Sequence, residues 1–173
     1  MTRTSAPLKQ LVLASMFVAI EVVLNSILVL QFQTMKLSFA FIVIALTAQL
    51  FSPYWTASIA AIAYTIGMIL FPKFGFFPGF ILTAFLTGLV FGIFLQRTPS
   101  FIKIMISSFI VTMGLNLLLN SLWLHIMYQI NWSVLLTTRT VQEVITFVIY
   151  VVVLTVIFRS NIITIIQKRS HLD

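Results

Sequence analysis

The chain contains no cysteine, only three carboxylate side chains and only two histidines. The lack of cysteine excludes disulfides and thiolate metal ligands. The sequence also lacks the HExxH pattern of zinc proteases and the GxxxxGK[ST] loop that binds nucleotide phosphates. We therefore expect a protein that is not an enzyme, holds no metal or cofactor, and does not use ATP by itself.

Charge is scarce: 8% of the residues are charged, while 61% are hydrophobic. A soluble domain is typically about half apolar and about a quarter charged. A small globule cannot hide so much apolar surface from water, so lipid is the expected solvent. The net charge of +7 comes from basic residues at the ends of apolar stretches, which is typical of membrane topology. Nucleic-acid binding is therefore not expected.

The long apolar stretches predict an all-α integral membrane protein, with residues 1–173 forming one domain. A helix that crosses the hydrocarbon core needs about 20 residues. Prolines and polar residues divide the chain into a bundle of six transmembrane helices. These predicted spans are Leu8–Leu30, Leu37–Phe51, Trp55–Phe71, Phe80–Leu95, Phe101–Tyr128 and Thr140–Phe158, with a loop at Gln129–Arg139.

The basic residues predict the orientation of this bundle. Seven fall on one predicted side: Arg3, Lys9, Arg97, Lys103, Arg159, Lys168 and Arg169. Three fall on the other: Lys36, Lys73 and Arg139. Since loops rich in lysine and arginine remain inside, both termini are expected in the cytoplasm.

Small residues recur at four-residue intervals on three predicted helices, a spacing that allows close helix packing. They are Ala57 and Ala61 on the third helix, Ala84, Gly88 and Gly92 on the fourth, and Ser15 and Ala19, with Ala14 beside them, on the first. The third and fourth helices are expected to pack within the bundle. The stripe on the first helix fits either internal packing or docking of a partner protein.

The three basic residues on the predicted outer side are candidates for substrate binding. Lys36, Lys73 and Arg139 either extend to lipid headgroups or converge on an anionic solute. Arg139 suits the second role best, because its planar guanidinium can hold a carboxylate at two points. Glu143 lies four residues later on the same helix face, where it either orients Arg139 or only pairs with it along the helix surface.

Asn116 and Asn120 lie one turn apart on the fifth span, with Trp123 less than a turn further. Buried amides need hydrogen-bond partners, supplied here either by another helix or by the polar edge of a ligand. Trp123, Phe77 and Phe80 fit stacking on a flat ring, whereas Trp123, Tyr128 and Trp132 also fit an interfacial aromatic belt. Glu21, near the middle of the first span, is expected to face the protein interior.

Several of these segments resemble one family of membrane proteins. FFPGFILTAFLTGL at residues 76–89 and NLLLNSLWL at residues 116–124 resemble the folate-specific S components of energy-coupling factor (ECF) vitamin transporters. So do Thr138-Arg139 and the Lys36-Leu37-Ser38-Phe39 segment, where the family usually has arginine at the lysine position. The similarity extends from about Lys36 to Gln142.

The resemblance implies a substrate-binding subunit in the plasma membrane of a prokaryote. Such a subunit binds its vitamin, here folate, in an outward-facing pocket. It then docks onto a transmembrane coupling protein and two ATPase subunits, which use the ATP, and topples to release substrate inside. The implied substrate-binding residues are Lys36, Phe77, Pro78, Gly79, Phe80, Asn116, Asn120, Trp123 and Arg139, and the implied docking residues are Ala14, Ser15 and Ala19. Two alternatives stay open, an S component for another vitamin or precursor, and an autonomous ion-coupled carrier or membrane scaffold.

Overall fold

The computed structural model describes residues 5–26, 29–32, 35–72, 77–96 and 99–159. Apart from one short hairpin, the regular structure of these residues is helical. The helices are α1 (Ser5–Ser26), α2 (Ala40–Leu50), α3 (Pro53–Leu70), α4 (Pro78–Leu95), α5 (Phe101–Phe109), α6 (Asn120–Tyr128) and α7 (Trp132–Arg159). A π-helical segment, Ile110–Leu119, joins α5 to α6 as one continuous helix.

Within the described residues, five helices are long and apolar enough to cross a membrane: α1, α3, α4, the continuous helix Phe101–Tyr128, and α7. Their outward faces carry exposed apolar side chains such as Leu11, Ile69 and Val144, which suit contact with lipid. α2 has 11 residues and is about 16 Å long, roughly half the thickness of the hydrocarbon core. The chain is therefore a multi-pass helical membrane protein, in which the second predicted span is too short to cross by itself.

A β-hairpin replaces the predicted junction between the first two spans, where the expected helix ends at Leu30 and Leu37 were wrong. Strands β1 (Val29–Phe32) and β2 (Met35–Ser38) pair in antiparallel fashion. The Ser38 hydroxyl donates to the Leu24 carbonyl at 3.2 Å and accepts from the Ala40 amide at 3.1 Å. Ser38 thus ties the end of α1 to the start of α2, and the hairpin satisfies backbone groups that would otherwise end unpaired.

The two most closely packed helices are α3 and α4. A Cβ atom added at Gly88 would lie 2.7 Å from the Ala57 Cα, and one added at Gly92 would lie 2.5 Å from the Pro53 Cα. Such contacts are shorter than real side chains allow, so glycine is required at both positions. The glycine stripe predicted on the fourth helix therefore packs inside the bundle against α3.

The last helix begins earlier than predicted, because residues 132–139 are helical rather than part of a loop. The Asn131 side chain caps its first turn by accepting the Ser133 amide at 3.3 Å. Two polar residues of the predicted loop bond to the helix itself: the hydroxyls of Thr137 and Thr138 donate to carbonyls four residues earlier, both at 2.8 Å. Thr140, the predicted start of the span, does the same at 2.6 Å. Arg139 consequently lies about two turns inside α7.

Candidate substrate-binding site

Arg139 and Glu143 form an ion pair one turn apart on α7, as their spacing predicted. The Arg139 Nη2 lies 3.6 Å from the Glu143 Oε1. Only 6% of Arg139 and 2% of Glu143 is exposed. Because an isolated charge inside a membrane protein is costly, each group stabilises the other in this position.

Two asparagines on the facing helix complete this group. Arg139 Nη2 donates to the Asn116 carbonyl at 3.0 Å, and Asn120 Nδ2 donates to Asn116 Oδ1 at 3.4 Å. The Asn116 amide also approaches the Glu143 carboxylate and the Tyr150 hydroxyl. We call Asn116, Asn120, Arg139, Glu143 and Tyr150 the polar cluster. No pattern in the sequence pointed to Tyr150, whose ring stacks on Phe41 with centroids 3.8 Å apart.

The polar cluster has hydrogen-bonding capacity that its own members do not use. Asn120 Oδ1, Glu143 Oε2 and Arg139 Nε are buried and make no hydrogen bond to any residue that the structure describes. Buried polar atoms are normally paired, and an unpaired one is costly. Two acceptors and one donor of the polar cluster are therefore left without a partner among the described residues.

An aromatic group lies at the start of α4. Phe77 precedes Pro78, the first residue of the helix, and its ring centroid lies 5.5 Å from Trp123 and 6.2 Å from Phe80. A Cβ atom at Gly79 would come within 2.5 Å of both the Phe77 and Trp123 rings. Pro78 begins the helix and Gly79 lets the two rings approach it, which gives both residues a structural reason to be there.

Thr83 is a member of this site that sequence reasoning missed. The Trp123 indole Nε1 donates to the Thr83 Oγ1 at 3.0 Å, and the Thr83 hydroxyl in turn donates to the Gly79 carbonyl at 3.2 Å. Trp123 is thus held against α4 by its N–H as well as by its ring. Thr83 lies one turn after Gly79 on α4, which was the available signal for including it.

The aromatic group and the polar cluster lie at different depths along one helix. Trp123 follows Asn120 by three residues and Asn116 by seven, which separates them by about 5 to 10 Å along the axis. Trp123 is nearer the turn that joins α6 to α7, at the end of the bundle where α4 begins. The polar cluster therefore lies further into the bundle than the aromatic group.

The other two predicted cations are Lys36 and Lys73. Lys36 belongs to β2, where its backbone pairs with Gln31, and β2 contacts α7. Lys73 lies outside the described residues. Because successive helices alternate in direction, the hairpin lies at the same end of the bundle as the start of α4.

The predicted docking stripe on α1 divides between two faces. Ser15 and Ala19 are exposed, whereas Ala14 is buried in a small core cluster with Phe51 and Ile59. Ala14 therefore packs inside this chain, so its predicted docking role does not fit its position. Ser15 and Ala19 are the part of the stripe that a partner can reach.

Comparison with known families places the chain in a class. Residues 9–167 match the family of substrate-specific components of ECF transporters. The chain belongs to this family of substrate-specific ECF transporter components. The resemblance seen in the sequence is thereby confirmed, and so is the expectation that the protein is a transporter subunit and not an enzyme.

Individual relatives are similar over most of their length. A folate transporter FolT of Clostridium novyi (strain NT) is 32% identical over 138 residues, covering 79% of this chain and 80% of the relative. A folate transporter FolT of Leuconostoc mesenteroides subsp. mesenteroides is 30% identical over 168 residues, covering 93% and 90%. A crystal structure of FolT bound with folic acid superposes with a TM-score of 0.80 at 34% identity, covering 84% of this chain and 89% of that one.

Proposed function

We propose that this chain is the subunit of an ECF importer that binds folate at the outer face of the cell membrane. The observation that carries the proposal is the polar cluster, with its unused donor and acceptors, one to two turns below an aromatic group. The names of the relatives and the folic acid bound in the similar structure support folate as the ligand.

The chemistry of the cluster suits the pterin ring of folate better than its glutamate tail. Arg139 is already paired with Glu143, so the cluster has no net charge to attract a carboxylate. It offers acceptors at Asn120 and Glu143 beside a donor at Arg139. A pterin ring presents N–H donors next to acceptor atoms on one edge, which is the complementary pattern.

The aromatic group supplies the apolar part of the proposed site. Trp123 and Phe77 offer ring faces and edges to a flat aromatic ligand, and Thr83 fixes the indole in place. The carboxylates of the glutamate tail then lie nearer the outer end of the bundle. Lys36 and Lys73, predicted at that end, are the proposed cations for them.

Equilibrium binding to the purified protein tests the ligand assignment. We expect folate to bind at micromolar concentration or below, while riboflavin and thiamine do not. Pteroate, which lacks the glutamate, should keep more of the affinity than p-aminobenzoylglutamate, which lacks the pterin. If folate binds no better than the other two vitamins, the assignment is wrong, and mass spectrometry of any co-purified small molecule identifies the alternative.

We propose further that the exposed small-residue face of α1 docks onto the energising module, a transmembrane coupling protein with two ATPase subunits. In this proposal both termini lie in the cytoplasm, as the distribution of basic residues favours. Ala19→Trp should abolish folate uptake by cells while leaving binding to the purified subunit unchanged. Val156→Trp makes a similar change at an exposed position on a different helix, α7. It is the control and should leave uptake intact.

Two outcomes would contradict the docking proposal. Loss of binding in Ala19→Trp would mean that the residue supports the fold, and normal uptake would mean that no partner contacts it. Uptake by cells that lack the energising module is a separate test, because only an autonomous carrier would still transport there.

A further inference from the structure

The continuous helix Phe101–Tyr128 changes its hydrogen-bond pattern twice. The Ile110 amide bonds to the Ile106 carbonyl, four residues back, as in an ordinary α-helix. The Asn120 amide bonds instead to the Leu115 carbonyl, five residues back, which marks the end of the π-helical segment. The Gln129 amide again bonds to a carbonyl four residues back, that of His125.

This return from a five-residue to a four-residue pattern leaves one carbonyl without an amide partner. In an ordinary α-helix the Asn120 amide would bond to Asn116, but here it bonds to Leu115. The next carbonyl in the series, that of Asn116, is the one passed over at the change. It accepts the Arg139 guanidinium at 3.0 Å.

The released carbonyl is well placed to fix the direction of the guanidinium. Arg139 Nη2 makes this contact and also faces Glu143 Oε1, so both interactions fall on the same nitrogen. The Nε of Arg139 has no hydrogen-bond partner among the described residues. A charge-assisted bond to a backbone carbonyl is strong and resists rotation, because the carbonyl is part of a packed helix. Single π-helical turns inside α-helices are often found at functional sites.

We infer that the π-helical segment is a positioning device for Arg139. By releasing the Asn116 carbonyl, it anchors the guanidinium at Nη2 and leaves the Nε–H for the substrate. Asn116 is thus a positioning residue through its backbone, separately from its side-chain contacts. The inference rests on the proposed function only in taking folate as the substrate.

A backbone substitution tests this without changing any side chain. Replacing Leu117 by the corresponding α-hydroxy acid turns the Asn116 carbonyl into an ester carbonyl, which is a weaker acceptor, and deletes the Leu117 amide. The same replacement at Leu118 is the matched control, because it also deletes one helical amide but weakens the Leu117 carbonyl instead. We expect folate affinity to fall about tenfold for the first ester relative to the second, as for one weakened hydrogen bond to a charged group.

The difference in folate affinity between the two esters must also depend on Arg139. In an Arg139→Ala background the two esters should bind folate equally, since no guanidinium remains to be positioned. An equal loss for both esters in the native background, or an undiminished difference in Arg139→Ala, would overturn the inference.

A second measurement needs no substrate. The measurement is NMR of protein labelled with ¹⁵N at arginine. The Arg139 Nη signals should be resolved in the native chain and in the Leu118 ester, and averaged by rotation in the Leu117 ester. Retained resolution in the Leu117 ester would refute the anchoring. If the native chain fails to bind folate while this pattern is seen, the proposed function fails and the anchoring of Arg139 stands.

Discussion

α3 and α4 meet through their backbones, whereas α7 meets the π-helical segment through buried polar side chains. At the first interface, Gly88 and Gly92 bring the helices so close that no side chain fits between them. At the second, Arg139 and Glu143 face Asn116 and Asn120, and three of their polar atoms stay unpaired among the described residues. Both interfaces are buried in the same apolar bundle.

The difference separates scaffold from site. Close backbone packing has a single good arrangement, so the α3–α4 pair is rigid and contributes to stability. Unpaired buried polar atoms are unfavourable for folding alone, and in the proposed function those at the other interface are left for the ligand. A change at the first interface should therefore affect stability, and a change at the second should affect affinity.

The largest expected effect is on the scaffold. Gly88→Leu inserts a branched side chain where even a Cβ would lie 2.8 Å from the Thr56 carbonyl oxygen, so we expect a loss of about 3 kcal/mol in stability. Thermal unfolding of the purified protein in detergent measures it. Gly114→Ala is the control, because a Cβ there meets nothing within 4 Å. An equal melting temperature for the two variants would contradict the assignment of α3–α4 as the scaffold.

At the polar cluster, Arg139→Ala should weaken folate binding by about 2 kcal/mol, or roughly 30-fold, as expected for the loss of a charge-assisted hydrogen bond. The single variant also leaves Glu143 as an uncompensated buried charge. The double variant Arg139→Ala/Glu143→Gln removes that problem. We expect it to restore thermal stability but not affinity in equilibrium binding. Recovery of affinity would show that Arg139 only neutralises Glu143.

The smallest effect is expected where the site meets the scaffold. Trp123→Phe removes the indole N–H that Thr83 accepts and should cost about 1 kcal/mol, or roughly fivefold in folate affinity. Thr83→Val removes the same hydrogen bond from the other side. If the bond is what matters, Trp123→Phe will have little further effect in the Thr83→Val protein. Fully additive losses would mean that the two residues act separately.

The sequence was most informative where one feature has one physical cause. Glycines four residues apart predicted the close packing of α4, because few other residues let helix backbones approach. The pair formed by Arg139 and Glu143 followed from their spacing on one helix face. Low charge and long apolar runs predicted a multi-pass helical membrane protein.

The features that were missed are those where the local pattern allows two structures. Val29 and Leu30 extend the apolar run of the first span equally well as helix or strand, so the hairpin gave no separate signal. The threonines before Arg139 suggested a loop, although Asn131 is a favourable residue for capping a helix that begins at Trp132. The π-helical segment is apolar on most sides, so a shift of one residue in its bonding leaves the apolar pattern unchanged.

The internal pairing of Arg139 with Glu143 has an electrical consequence. A membrane potential does work on net charge, about 2.3 kcal/mol for each elementary charge carried across 100 mV. An ion pair held on a single helix moves as a unit and contributes no net charge when the subunit reorients. In the proposed importer, the voltage across the membrane would therefore act on the carboxylates of the cargo and not on the polar cluster that holds it.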